Sequence, residues 1–214
     1  MDKISEFIYY TNLYEDTGLQ SIEEISEFLT KNKRFTNLNK RETETLNLYL
    51  ATKYVLDNLN ELTFDPIIID EINKIVLGTE ESNLRSYTKT NVSFLGSVPW
   101  DEAEKHLQYI CDLYYKKLNS GVSLNELGAW FFWIFLYIHV FRDGNGRTAR
   151  LLLCLHFKRL FPLITPKLLR EEYIDIFSGK TEININDYNT EKNKKILELI
   201  NDEQVQNEVI NHKN

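Results

Sequence analysis

Between His139 and Arg150 the chain reads HVFRDGNGRTAR: one imidazole, one carboxylate, an asparagine between two glycines, and three guanidiniums in twelve residues. Gly144, Asn145 and Gly146 end one segment and open a helix that the pattern places from about residue 146. A helix N-terminus leaves N–H groups unpaired and carries the positive end of the helix dipole. Glycines there let a ligand approach the backbone, which makes a cradle for phosphate. Arg147 and Arg150 lie three apart on one helix face, so two guanidiniums beside the anion hole point to more than one phosphate group. Asp143, just before the cradle, suits the Mg2+ that accompanies a di- or triphosphate. His139, four residues earlier, titrates in the range needed to take a proton from an attacking hydroxyl near neutral pH.

Two other readings of these glycines fail on spacing. A P-loop, G-x-x-x-x-G-K-(S/T), with its second glycine at Gly146 would have Phe141 as its first and Arg147 as its lysine. An EF-hand register would put Phe141 and Leu152 where carboxylates are needed. Singly, each feature has a plain explanation. A histidine ending an apolar helix is usually a core or capping residue, GNG is a common loop, and arginines form solvated faces. The conjunction in one order is what carries the chemical reading.

The residues that must hold this chemistry come just before it. Leu127 to Phe141 contains no charged side chain over 15 residues. That is shorter than the roughly 18 a membrane span needs, and polar groups follow at once. It reads as the buried central helix of a core, a rigid post for His139. Helix signals punctuate the rest. Ser21–Glu24 and Ser123–Glu126 have the capping-box pattern. Asp65-Pro66 and Thr165-Pro166 read as N-cap plus first helical proline. Gly18, Gly78, Gly121 and Gly179 stand where C-terminal caps are expected. The spacing predicts helices near 3–16, 21–30, 40–60, 66–77, 100–119, 123–139, 146–159, 166–177 and 187–211. Leu84 to Trp100 has no helical period and is rich in β-branched and aromatic residues, which predicts a short β-hairpin or extended flap. The fold class is therefore mainly α, with one small hairpin.

With 214 residues, 43% of them hydrophobic, the chain suits one unit with a real core. A net charge of −7 and a pI of about 5.2 speak against a nucleic-acid partner. Cys111 and Cys154 are too few for a disulfide framework and are expected to be packing residues. Together with an N-terminus that lacks the apolar run of a signal peptide, they point to a cytoplasmic protein with no membrane association.

HVFRDGNGRTAR resembles the signature of the Fic family, H-x-F-x-(D/E)-G-N-G-R-x-x-R. It matches at His139, Phe141, Asp143, Gly144, Asn145, Gly146, Arg147 and Arg150, with Val140 where proline is usual. The likeness extends from about Leu84 to Phe177. LRSYTKTNVSFLG resembles the family's arginine, here Arg85, followed by a flap hairpin, and LREEYIDIF resembles its later tyrosine-containing helix. Fic enzymes typically transfer AMP from ATP to a hydroxyl on a target protein. The resemblance thus implies a Fic-type helical bundle with a β-hairpin flap, and a protein adenylyltransferase with ATP as co-substrate. It implies His139 as general base on a Ser, Thr or Tyr hydroxyl and Asp143 as the holder of Mg2+ on the α- and β-phosphates. Gly144, Asn145 and Gly146 would line the anion hole, Arg147 would reach the β-phosphate region and Arg150 the γ-phosphate. Val92, Ser93, Phe94 and Leu95 would pin a target segment by strand addition. That docking reads backbone, so it leaves the target open, the protein itself included.

TNLYED, Thr11 to Asp16, resembles the family's inhibitory motif, (S/T)-x-x-x-E-(G/N), with Asp16 in place of glycine or asparagine. Thr11 and Glu15 fall on one face of a predicted helix, and the resemblance implies that Glu15 pairs with Arg150. A C-terminal candidate, Ser178 to Glu182, lies on a poor helix, so the N-terminal copy is preferred. The expected layout is an inhibitory helix and connector over 1–35 and a catalytic domain over 36–214. Removal of AMP, transfer of another phosphate-containing group, and a non-catalytic nucleotide-binding module remain alternatives. Phosphate-transferring relatives carry lysine at the second glycine, so Gly146 speaks against that variant.

Overall fold

The structure is a computed structural model and describes residues 2–31, 35–89, 98–161 and 194–201. Its helices are α1 (Lys3–Glu15), α2 (Ile22–Lys31), α3 (Lys40–Asp57), α4 (Pro66–Leu77), α5 (Arg85–Thr88), α6 (Trp100–Asn119), α7 (Leu124–Ile138) and α8 (Asn145–Phe157), with a further helical stretch over 194–201. Among the described residues the β structure is a single bridge between Leu84 and Phe141. The fold is mainly α, as the patterning predicts. The proposed flap residues Val92–Leu95, the alternative Ser178 and Glu182, the predicted helix 166–177 and most of 187–211 lie outside the described residues.

Local chemistry sets the ends of these helices. Asp65 caps α4 by accepting from the Ile67 N–H at 2.8 Å, with Pro66 first in the helix. Ser123 caps α7 by accepting from the Glu126 N–H at 3.3 Å while donating to its carboxylate at 2.7 Å. Asn39 and Glu42 form a reciprocal capping box on α3, an N-x-x-E pattern the sequence reading passed over. Two expectations need correction. The left-handed residue that ends α1 is Asp16 (φ 52°), not Gly18. Leu84 to Lys89, the start of the predicted flap, is not extended but turns at once into α5, and residues 90–97 lie outside the described residues. The Arg85 N–H donates to the Val140 carbonyl and the Tyr87 N–H to the Leu84 carbonyl, so the chain closes a turn there.

α8 lies at the centre, against α1, α3, α4 and α7. α7 packs between α6 and α8, and every residue from Leu127 to Leu136 is buried. No helix among the described residues is long and apolar enough to cross a membrane. Cys111 and Cys154 are buried, and burial pushes both thiols up to about 12, so they pack and do not react.

One buried polar junction ties α6, α7 and α8 together. His156 Nδ1 lies 2.8 Å from Tyr114 Oη, and its Nε2 lies 2.8 Å from the Leu124 carbonyl. The carbonyl only accepts, so Nε2 carries the proton and Nδ1 accepts from the tyrosine. Burial holds His156 down to about 4 from 6.5. The unfolded chain therefore binds more protons than the folded one between those values. Stability is fully present above about pH 6.5 and is lost as pH falls toward 4, by about 3 kcal/mol at most. Urea unfolding at pH 7 and at pH 4.5 should show this loss, and His156→Gln should remove most of the difference.

Candidate active site

The site forms where the C-terminus of α7 meets the N-terminus of α8. His139 caps α7 in the left-handed region (φ 50°, ψ 54°), its N–H donating to the Phe135 carbonyl at 3.2 Å. Its Nδ1 is buried. Burial first, and then the Arg85 guanidinium, pull His139 below its ordinary 6.5, while the Leu136 backbone, Glu15 and Asp143 act the other way. The net direction favours the neutral imidazole over the charged one.

The loop from Phe141 to Gly144 is fixed by amide side chains. Asn145 turns inward, accepting from the Phe141 N–H at 3.0 Å and donating to the Phe141 carbonyl at 2.8 Å. Its side chain thereby pins the Phe141 backbone. Gly144, the N-cap of α8, has φ 77°, and a Cβ there would lie 2.8 Å from Asn73 Nδ2. Asn73 of α4 is fully buried and donates to the Asp143 carbonyl and to Thr148 Oγ1, both at 3.1 Å. The sequence reading missed Asn73. Its signal was an amide among the apolar residues Ile69, Ile72 and Val76 on the buried face of α4.

Both motif arginines already hold carboxylates. Arg147, with a side chain 5% exposed, donates to Asp143 Oδ1 at 3.1 Å. The same oxygen accepts from the Gly144 N–H at 2.6 Å. Asp143 itself is well exposed, at 69%. No group of three or more metal-ligating side chains occurs among the described residues. One exposed carboxylate beside an anion cradle fits Mg2+, which keeps several waters and is shared with substrate phosphates.

Arg150, 1% exposed, donates from Nη1 to Glu15 Oε1 at 2.7 Å and lies 5.7 Å from the centre of the Tyr14 ring. Glu15 is also pressed onto the cradle: a Cβ at Gly146 would fall 2.0 Å from Glu15 Oε1 and 2.5 Å from its Cδ. The last residue of α1 therefore seats its carboxylate at the N-terminus of α8. Thr11, one turn earlier, is 1% exposed, and its hydroxyl has no hydrogen-bond partner among the described residues, so it packs and does not bond. The loop after α1 is anchored on α3. Asn12 Nδ2 donates to the Leu19 carbonyl at 2.9 Å, the Leu19 N–H to Thr45 Oγ1 at 2.8 Å, and the Gly18 N–H to Glu44 Oε2 at 2.8 Å.

Fold and site together define a helical domain in which a helix N-terminus seats the Glu15 carboxylate, with a half-buried histidine beside it. Residues 63–157 match the model of the Fic/DOC family, and this segment is a Fic domain. The chain is 36% identical over 117 residues to a protein adenylyltransferase Fic of Nematostella vectensis, a match that takes in 51% of this chain and 27% of that protein. The chain thus spans about a quarter of that relative's length. Among solved structures, its fold is similar to that of a Fic family protein from Desulfovibrio desulfuricans G20 (TM-score 0.71, 17% identity, 98% of this chain and 66% of that one). It is also similar to Fic-1 from C. elegans (TM-score 0.70, 20% identity, 100% of this chain and 65% of that one).

Proposed function

We propose that this chain is a protein adenylyltransferase that moves AMP from ATP to a Ser, Thr or Tyr hydroxyl of a target protein, itself included, and that Glu15 holds it in check. The observation that supports this most is the seat of the Glu15 carboxylate against Gly146 and Arg150. An anion already fits the place where the motif calls for phosphate. In the proposed reaction the acceptor hydroxyl oxygen forms a bond to the α-phosphorus, the bond to the β-phosphate oxygen breaks, and pyrophosphate leaves. His139 takes the hydroxyl proton, and its buried Nδ1 leaves Nε2 as the nitrogen to do so. The N–H groups at the start of α8 hold the phosphates, and Arg147 and Arg150 neutralise them. Asp143 would hold Mg2+, which when bound would supply charge neutralisation to the phosphates. Asp16 departs from the glycine or asparagine of the inhibitory pattern, yet it sits in the left-handed region that ends α1. Glycine and asparagine suit that region, and aspartate is tolerated there.

The test is mass spectrometry of the Glu15→Gly protein after incubation with Mg2+ and ATP. An adduct of AMP mass on the protein or on an added target supports the reading; nucleotide bound with no covalent adduct would favour a binding module. The position of Glu15 also favours a second reading, removal of AMP with Glu15 orienting a water. Incubating the adenylylated product with the wild-type chain separates the two directions.

Asp143→Ala should weaken ATP binding in the presence of Mg2+ by ~10-fold or more, about 1.4 kcal/mol, and change it little without Mg2+. Titration calorimetry under both conditions checks this. Equal affinities for wild type and variant in Mg2+ would remove Asp143 from the site.

A further inference from the structure

Arg85 lies outside the twelve-residue motif, 54 positions before His139, and is fully buried. Its guanidinium Nε donates to the His139 carbonyl at 2.5 Å, and its Nη2 donates to the Ile138 carbonyl at 2.9 Å and the Val98 carbonyl at 2.7 Å. Its own N–H donates to the Val140 carbonyl at 2.9 Å. One residue thus binds three successive carbonyls, 138, 139 and 140. These follow α7 at the point where a helix leaves its carbonyls without partners in the helix and carries its negative pole. His139 sits between them in a left-handed conformation that non-glycine residues adopt at a cost. Such a conformation persists only where the surroundings over-determine it.

We infer that Arg85 is the positioning residue of the His139 base. It fixes the left-handed turn that decides where the imidazole points, and through Val98 it ties that turn to the chain entering α6. The inference rests on the reading of His139 as a base. The fork geometry is essential to it: guanidinium presents several donors in one rigid plane, whereas an ammonium group presents its donors from one nitrogen on a flexible stem.

The test uses the full chain carrying Glu15→Gly, with Arg85→Lys and Arg85→Gln added singly. Both should bind Mg2+ and ATP within about threefold of the parent by calorimetry, because the phosphate cradle is built by α8. Both should lose ~10- to 100-fold in kcat for AMP transfer, the effect of a misplaced base. The second readout does not depend on transfer. In the NMR spectrum the His139 ring resonance should move in both variants, while that of His156, held by Tyr114 and Leu124, should stay in place. A folded Arg85→Lys protein with parental kcat and an unmoved His139 resonance would overturn the inference. So would ATP affinity that falls in step with kcat, which would make Arg85 a builder of the whole nucleotide site. Loss of the fold in both variants would overturn it too, by making Arg85 a residue of the fold in general. If the Glu15→Gly parent transfers no AMP, the proposed function fails, and the His139 resonance alone decides the role of Arg85.

Discussion

His139→Ala is expected to lower AMP transfer by ~10²–10⁴-fold, the usual effect of losing a general base, while ATP affinity stays close to that of the parent. The split follows from geometry. His139 belongs to the end of α7, whereas the proposed phosphate seat belongs to the N-terminus of α8 and to Arg147 and Arg150. The substitution leaves the clamp intact, because Arg85 grips the carbonyls of the turn and not the imidazole. Alanine in a left-handed conformation is strained, so the folded fraction needs to be measured alongside. Single-turnover transfer with labelled ATP, on protein shown to be folded, gives the answer. A folded variant that transfers at the parental rate would remove His139 from the reaction.

Glu15→Gly is expected to raise transfer, including transfer to the protein itself. A charge-assisted hydrogen bond contributes about 1.5–3 kcal/mol. If that is what ATP must displace, its loss corresponds to roughly 10- to 150-fold. The variant removes two obstacles at once, the pair with Arg150 and the carboxylate lying over Gly146. Arg150→Ala should not mimic it, since that change removes both the clamp and the contact for phosphate. Thr11→Ala should activate only weakly, because Thr11 makes no bond to the site and its loss merely loosens the packing of α1. Labelled-ATP transfer by the four proteins at equal concentration tests the series. A Glu15→Gly protein no more active than wild type would refute inhibition by α1.

What the sequence disclosed follows contiguity. The His139–Arg150 motif could be read because its parts are neighbours along the chain, and α4 and α7 because Asp65-Pro66 and Ser123–Glu126 announce their starts locally. The pairing of Glu15 with Arg150 spans 135 residues; spacing alone does not foresee it, and the family resemblance was needed. What stayed hidden depended on contacts between distant segments. Arg85 looked like the doorway to a flap, since nothing beside it in sequence says that it turns back to His139. Asn145 looked like a ligand residue because it stands between two glycines, yet its amide serves the Phe141 backbone. Gly18 looked like a cap because glycine favours positive φ. It does have φ 58°, but α1 had already ended at Asp16.

The anchoring of the loop after α1 onto Glu44 and Thr45 bears on how the proposed inhibition would respond to concentration. The carboxylate and the seat it fills are in one chain, with the inhibitor end held a fixed distance from the seat. Their encounter is intramolecular, governed by an effective molarity set by geometry and not by the amount of protein present. Dilution would therefore leave the inhibition unchanged. A nucleotide would have to displace Glu15 by its own affinity and abundance, so the occupancy of the productive state would follow the supply of ATP.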